Sequence, residues 1–386
     1  MRLQRYTALL VLLLLLLACS DINFRSTTGN NTDASSQEDK TTVVASWESD
    51  DPEADLTICT TGDPAGNQKI ANQKIYLDVL HVNMEEIILN DPMVTLDGQM
   101  CAYRFTLDYG RPISQQGMAT GEILFTAGDL VAHYGFQFNN GKTVWDTLVE
   151  NTDTHASLRS DNLDDFGLSV VDSKIVITIP CYAVPRADDQ TAWQITTFNH
   201  DANGNRQYCD EVSNSGSSLP TPQVYWHGTE TITIADLSDD VMDLTNKSSK
   251  LHLPSVDILS LHTSLAPRET PVMLTMGEFP PDADISEWAA VVRMNMSLVG
   301  PGQLICGRDE NGQEGLIDPQ SLAFKPDNGL ATFQTDGVNV GCTFAPPALS
   351  LTGCVAVSGD FYLTDTKTHI KYKDRVNSVI LCYQQP

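Results

Sequence analysis

Apolar and polar residues alternate along most of the chain. In Cys101-Ala-Tyr-Arg-Phe-Thr-Leu107 the side chains of Tyr103, Phe105 and Leu107 fall on one face. Lys174-Ile-Val-Ile-Thr-Ile179 does the same with Ile175, Ile177 and Ile179, and Tyr134-Gly-Phe-Gln-Phe138 repeats the alternation before an Asn139-Asn-Gly141 turn. A period of two bounded by Gly, Asn and Pro marks strands and hairpins, because successive side chains of a strand point to opposite faces. No long segment carries a 3.6-residue stripe, and Asp284-Ile-Ser-Glu-Trp288 predicts at most a short helical turn. Short strands separated by turn residues predict an all-β chain of two tandem β-sandwich domains.

The alternation is missing at the start. Arg2 and Arg5 precede an unbroken apolar run from Ala8 to Ala18, the layout of a secretory signal over residues 1–18. The run is too short to span a bilayer, which needs about 20 apolar residues. It ends in Leu16-Leu17-Ala18-Cys19, which resembles the lipobox of bacterial lipoproteins. The resemblance implies that Cys19 is lipid-modified and becomes the N-terminus, that the protein is exported, and that in a diderm host it reaches the outer membrane. Residues 19–44 follow as a Ser/Thr/Asn/Asp-rich stretch with few apolar side chains, the composition of a flexible tether. Its root-mean-square reach is roughly 25–30 Å.

The remaining sequence reads as two copies of one unit. Cys181-x3-Pro185 and Phe198 precede Asp201-x6-Tyr208-x-Asp210-x-Val212. Cys342-x3-Pro346 and Phe361 precede Asp365-x6-Tyr372-x-Asp374-x-Val376. Upstream, Asp63 precedes Ile75–His81, and Asp243 precedes Val256–His262. Domains are therefore expected at 45–212 and 223–386, joined by a Ser/Pro-rich linker over 213–222. The pattern also resembles β-sandwich modules that recur in bacterial secreted lipoproteins and beside secreted hydrolases. Such modules usually carry no catalytic residues, so the resemblance implies architecture more than activity.

Composition narrows the compartment and the partners. The chain has 23 basic and 50 acidic residues, and loss of Arg2 and Arg5 with the signal takes its charge from −27 to −29. That field repels phosphate backbones, which argues against a nucleic-acid partner, and it disfavours tight contact with anionic lipid heads. Apart from Cys19, eight cysteines divide evenly: Cys59, Cys101, Cys181 and Cys209, then Cys306, Cys342, Cys354 and Cys382. No Cys-x2-Cys spacing points to zinc, and an even count in an exported chain predicts two disulfides per half, with the pairing left open.

Candidate chemistry is sparse. Thr197–Val212 clusters oxygen ligands around a glycine, and Asp201, Asn203, Asn205 and Asp210 are the candidate calcium ligands. The glycine stands at position four rather than six of the cation-loop pattern, and the second copy keeps only the aspartates and the tyrosine. A hairpin turn over residues 202–205 is therefore the preferred reading. Gly307–Glu314 is a second acidic turn, and Gly141-Lys142-Thr143 lacks the upstream glycine of a phosphate loop. His81 and His262, on matching strands, are expected to serve packing or hydrogen bonding. Tyr225 and Trp226 are the better candidates for ligand stacking, ahead of Trp145, Trp193 and Trp288. No nucleophile, zinc-protease or dinucleotide motif occurs. No cofactor is required, and calcium is the one considered. The expectation is a non-enzymatic, membrane-anchored extracytoplasmic lipoprotein that binds carbohydrate or a cell-surface protein. The alternatives are a secreted hydrolase acting on polysaccharide, with a carboxylate pair, and a calcium-stabilised adhesion module.

Overall fold

A computed structural model describes residues 41–51, 56–62, 65, 74–89, 100–160, 167–185, 192–213, 231–236, 240–266, 269–279, 286–299, 302–325, 329–345 and 352–384. Cys19, the linker beyond Ser213, and Tyr225 and Trp226 lie outside these residues. The N-terminal half contains β1 (Thr41–Asp50), β2 (Thr57–Ile58), β3 (Ile75–Tyr76), β4 (His81–Leu89), β5 (Met100–Asp108), β6 (Met118–Ala127), β7 (Leu130–Asn139), β8 (Lys142–Asn151), β9 (Ser157–Ser160), β10 (Gly167–Val171), β11 (Lys174–Pro180), β12 (Ala192–His200) and β13 (Arg206–Ser213). The C-terminal half contains β14 (Ile232–Ala235), β15 (Val241–Asp243), β16 (Ser248–Leu251), β17 (Ile258–Thr263), β18 (Thr270–Met276), β19 (Ser286–Asn295), β20 (Gln303–Arg308), β21 (Glu314–Ile317), β22 (Ala331–Asp336), β23 (Asn339–Phe344), β24 (Thr352–Asp365) and β25 (Lys371–Gln384).

Each half builds two facing sheets. In the first, a five-stranded sheet runs β1-β4-β5-β11-β10, and a larger one runs β2-β13-β12-β6-β7-β8-β9, with β3 joined in parallel to β6. In the second, β14-β17-β18-β23-β22 faces β16-β15-β25-β24-β19-β20-β21. The alternation seen in the sequence is what closes each sandwich. Tyr103, Phe105, Leu107, Ile175, Ile177 and Ile179 are fully buried, and Phe105 meets Phe125 and Trp193 of the opposite sheet edge to face. Asn140 and Gly141, both at positive φ, make the two-residue turn between β7 and β8. That hairpin accounts for Gly141-Lys142-Thr143.

Strand order matches between the halves, with β4, β5, β11 and β10 answering to β17, β18, β23 and β22. Register corrects part of the sequence alignment. The hairpins β10–β11 and β22–β23 close on Val171–Lys174 and Asp336–Asn339, which sets Cys342 opposite Ile177 rather than Cys181. Similarly, the tyrosine of the second repeat, Tyr372, pairs with Asp243, and Tyr208 pairs with Ile58, so Asp243 is not the counterpart of Asp63. Two further expectations change. Strand β1 starts at Thr41, inside the segment expected to be tether, because the β-branched run Thr41–Val43 pairs with β4. The helical turn expected around Trp288 is instead the beginning of β19, where Ser286, Glu287 and Trp288 pair with β24.

The shared aspartates hold the sheets together. Asp210 on β13 accepts the buried N–H of Val79, just ahead of β4, at 2.7 Å. Asp374 on β25 accepts the N–H of Ile258, which opens β17, at 2.6 Å. Each bond crosses from the larger sheet to the five-stranded one. Two disulfides per half add covalent ties: Cys59–Cys209, Cys101–Cys181, Cys306–Cys342 and Cys354–Cys382. Cys306 on β20 and Cys342 on β23 staple opposite sheets, whereas Cys354 and Cys382 pair across neighbouring strands.

The halves pack against one another through β9 and the turn Cys181–Ala183. Ser160 Oγ donates to Ser378 O at 2.7 Å, and Ser378 Oγ returns a bond to Arg159 O at 3.2 Å. Cys382 Sγ lies 3.5 Å from Ala183 O. One continuous core runs through both modules. Asp210→Ala should lower the unfolding free energy by about 1.5–3 kcal/mol, since a charged hydrogen bond disappears and a buried N–H is left unpaired. Urea titration of the oxidised chain measures the loss.

Candidate functional site

An open groove of about 390 Å³ lies on the outer face of β6, β7, β8, β12 and β13. Outward positions of those strands bring Glu122, His133, Asp146, Phe198 and Arg206 together, and Gly135 on β7 leaves room between them. Arg206 grips Glu122 with two bonds, at 2.6 and 3.0 Å. His133 stands between Glu122, 4.0 Å from Nδ1, and Glu150, 3.4 Å from Nε2. The guanidinium of Arg206 also lies 3.9 Å over the ring of Phe198, which is therefore capped and offers no free stacking face.

This geometry is a closed charge network. Burial raises the Glu122 carboxyl, but bonds to His133 and Arg206 outweigh it and bring its pKa down to about 2. The nearby Glu122 carboxylate raises the His133 pKa against the opposing effect of burial, and Glu150 adds to the rise. A glycosidase acid has to be protonated near neutrality. Glu122 is ionised there.

A second constellation sits at the other module. Asp236, after β14, and Asp240, before β15, lie beside the buried Asp374 with carboxylate oxygens within 4.8 Å of one another. Burial first, and the charge of Asp240 second, push the Asp374 carboxyl well up from its usual range. Hard divalent cations such as calcium take several carboxylate oxygens, so this donor set suits one. In sequence, Asp51-x3-Asp55 repeats Asp236-x3-Asp240, each ending three residues before the position that pairs with the repeat tyrosine, and the backbone N–H groups of Asp51 and Asp236 bond Leu80 O and Leu259 O alike. Asp55 is outside the described residues.

The ligands expected in the first module are not brought together. Asp201 Oδ1 accepts the N–H groups of Asn203 and Asn205 at 2.8 and 2.9 Å, which closes an exposed turn between β12 and β13. Asp210 is four residues up the strand, opposite Thr197 rather than at the turn, so roughly 13 Å separates the two at 3.3 Å per residue. Its carboxylate is occupied by the Val79 N–H. Asp365 caps the equivalent turn through Lys367 and Thr368, and Asp309 in the Gly307–Glu314 turn binds Asn311 and Gln313. Backbone N–H groups lower the carboxyls of Asp201 and Asp365, as expected for side chains that accept from a turn.

Histidines and tryptophans fall mostly into structural places. His262 bonds Thr233 Oγ1 at 2.8 Å and Thr275 Oγ1 at 2.6 Å, and burial lowers its pKa. His81 contacts Asp50 at 2.8 Å. The two strands correspond, but register puts His81 level with Ser260. Trp145 and Trp193 are buried, and Trp288 stacks on Phe361 beneath Arg308. The groove and the Asp236–Asp240–Asp374 set escaped the sequence reading; the recurring Asp-x3-Asp ahead of a strand was the signal for the latter.

No family model matches the chain, and no curated protein matches it. The Glu122 carboxylate is lowered on folding from 4.5 to about 2. Its contribution to stability is thus complete above about pH 4.5 and disappears as pH falls toward 2. His133, raised on folding, contributes below its unfolded value of 6.5 and loses that contribution as pH rises through its folded value. The stability gap between wild type and Glu122→Gln should be widest between pH 4.5 and 6.5, the two unfolded-state values, and denaturant titration across pH measures it.

Proposed function

We propose that the chain is an exported protein, anchored to the cell envelope by a lipid on Cys19, whose two modules bind a partner rather than catalyse a reaction. The observation that carries this is the two disulfides in each half, which belong to an oxidising compartment, together with the lipobox-like Leu16-Leu17-Ala18-Cys19. Among the described residues no helix is long and apolar enough to cross a membrane. The ionised, clamped Glu122 and the raised but buried Asp374 lie on different modules, so they do not form the acid and nucleophile pair of a hydrolase. A carbohydrate or a cell-surface protein is the partner class.

Feeding a labelled fatty acid to an expressing bacterium tests the anchor. Label should appear in the wild-type chain and vanish in Cys19→Ser; label retained in the variant refutes anchoring at this cysteine. A glycan array probed with the full-length chain tests the binding role.

The Asp236–Asp240–Asp374 set supports a second reading, a calcium-stabilised module. Burial first and the charge of Asp240 second raise Asp374, and a cation between the carboxylates would offset both. At a calcium concentration 100 times its dissociation constant the gain is about 2.7 kcal/mol, or roughly 5–10 °C in unfolding midpoint for a module of this size. Chelator should reverse the shift, and Asp240→Asn should abolish it.

A further inference from the structure

Acidic residues exceed basic ones by 27 in the whole chain, yet one face of the second module has the opposite balance. Strand β25 begins Lys371-Tyr-Lys373-Asp-Arg375, and its burial alternates so that Asp374 points inward while Lys371 and Arg375 are exposed. At about 3.3 Å per residue the three cations form a stripe roughly 13 Å long. Arg293 reaches the same face from β19, on the other side of β24. Asp360 of β24 lies fully buried beneath them. Lys373 Nζ is 2.9 Å and Arg375 Nε 2.7 Å from its Oδ1, and Arg293 bonds its Oδ2. Three cations thus share one carboxylate, and the cluster retains an excess of two positive charges. Lys371, at the far end, faces Glu310 at 3.3 Å.

The buried carboxylate also fixes the cations in place, so less side-chain freedom remains to be lost on binding. Planar guanidinium groups present paired donors that match a carboxylate. The flanks of the stripe are apolar. Met242 pairs in register with Lys373, and Leu244 donates its N–H to Lys371 O; their side chains are 39% and 42% exposed. The ring of Tyr362 lies 5.2 Å from Lys373 Nζ.

We propose that this face of β25, β24 and β19 binds a linear polysaccharide that carries carboxylates. Its acid groups dock on Arg293, Lys373 and Arg375, and its sugar faces lie across Met242 and Leu244. The assignment rests on the binding role proposed above and specifies its ligand class. Charge complementarity selects it. A single glycan chain fits within the stripe, whereas a bilayer surface would also confront the surrounding acidic surface and be repelled. Nucleic acid, with a charge every ~1.7 Å, meets the same repulsion more strongly.

The test titrates the full-length chain, in non-ionic detergent, with polygalacturonate, its methyl ester, and vesicles of anionic phospholipid. Polygalacturonate should bind at about 0.05 M salt and weaken steeply toward about 0.5 M, where exposed charges are screened. Methyl esterification and the double variant K373Q/R375Q should each weaken binding about tenfold or more, a loss of 1.4 kcal/mol or above. Lys325→Gln, away from the stripe, should bind as wild type. Should the double variant fold poorly because Asp360 loses its partners, R375Q alone leaves Arg293 and Lys373 on that carboxylate and should weaken binding about threefold. Equal affinity for the ester, variants that bind as wild type, no polygalacturonate binding, or vesicle binding in its place overturns the proposal. A hit on the glycan array that survives K373Q/R375Q would preserve the binding role and remove only this face from it.

Discussion

One carboxylate per module fastens two sheets that hydrophobic contact alone would leave free to slide. Asp210 and Asp374 each reach from the larger sheet to accept a buried N–H at the start of the five-stranded sheet, from Val79 just ahead of β4 and from Ile258 at the head of β17. Burying an acid is costly unless it is well bonded, so the position tolerates little else. In the first module the same corner gains a bond from Thr197 Oγ1 to Leu77 O. In the second, register sets Phe361 at the place of Thr197, and packing substitutes for polarity. The second carboxylate also carries, besides its burial, the repulsion of Asp240, with Asp236 close by. Its structural task and its fitness for a cation therefore share one side chain.

Much of the architecture could be read from the sequence because a sheet writes its faces into a period of two. The segments around Tyr103, Ile175 and Tyr134 became β5, β11 and β7 with the expected faces inward. The Asp-x6-Tyr-x-Asp repeat was legible for a different reason: its aspartates bond backbone, and backbone geometry is what a duplicated fold preserves. Cys-x3-Pro misled because a short motif says nothing about hairpin register, and the hairpins place Cys342 level with Ile177. Phe198 and Phe361 erred in the same way, one facing out under Arg206 and the other inward.

Site geometry was much less visible. Sequence alone credited Asp201 and Asp210 to one loop, although pairing puts them several residues apart along β13 and its neighbour. The Glu122 clamp joins residues 84 apart, and the Asp360 cluster joins residues 67 apart. Neither has any local signature except the alternating Lys371, Lys373 and Arg375. The two modules have thus kept a frame and diverged on their outer faces. At the position of Thr196 beside Glu122, the second module carries Asp360 and collects cations where the first pairs acids with Arg206 and His133.

The place of β1 has a mechanical consequence. It is an edge strand, held on one side only by β4, and the chain upstream of Thr41 enters directly at its first residue. Tension arriving from that end loads a single ladder, and the ladder peels one pair at a time. Loss of the β1 ladder would run on through β2 as far as the Cys59–Cys209 bond, which ties the chain covalently to β13. At full stretch roughly 60 Å of chain separates Thr41 from that bridge. The edge can therefore open that far while the strands behind the bridge keep their pairing.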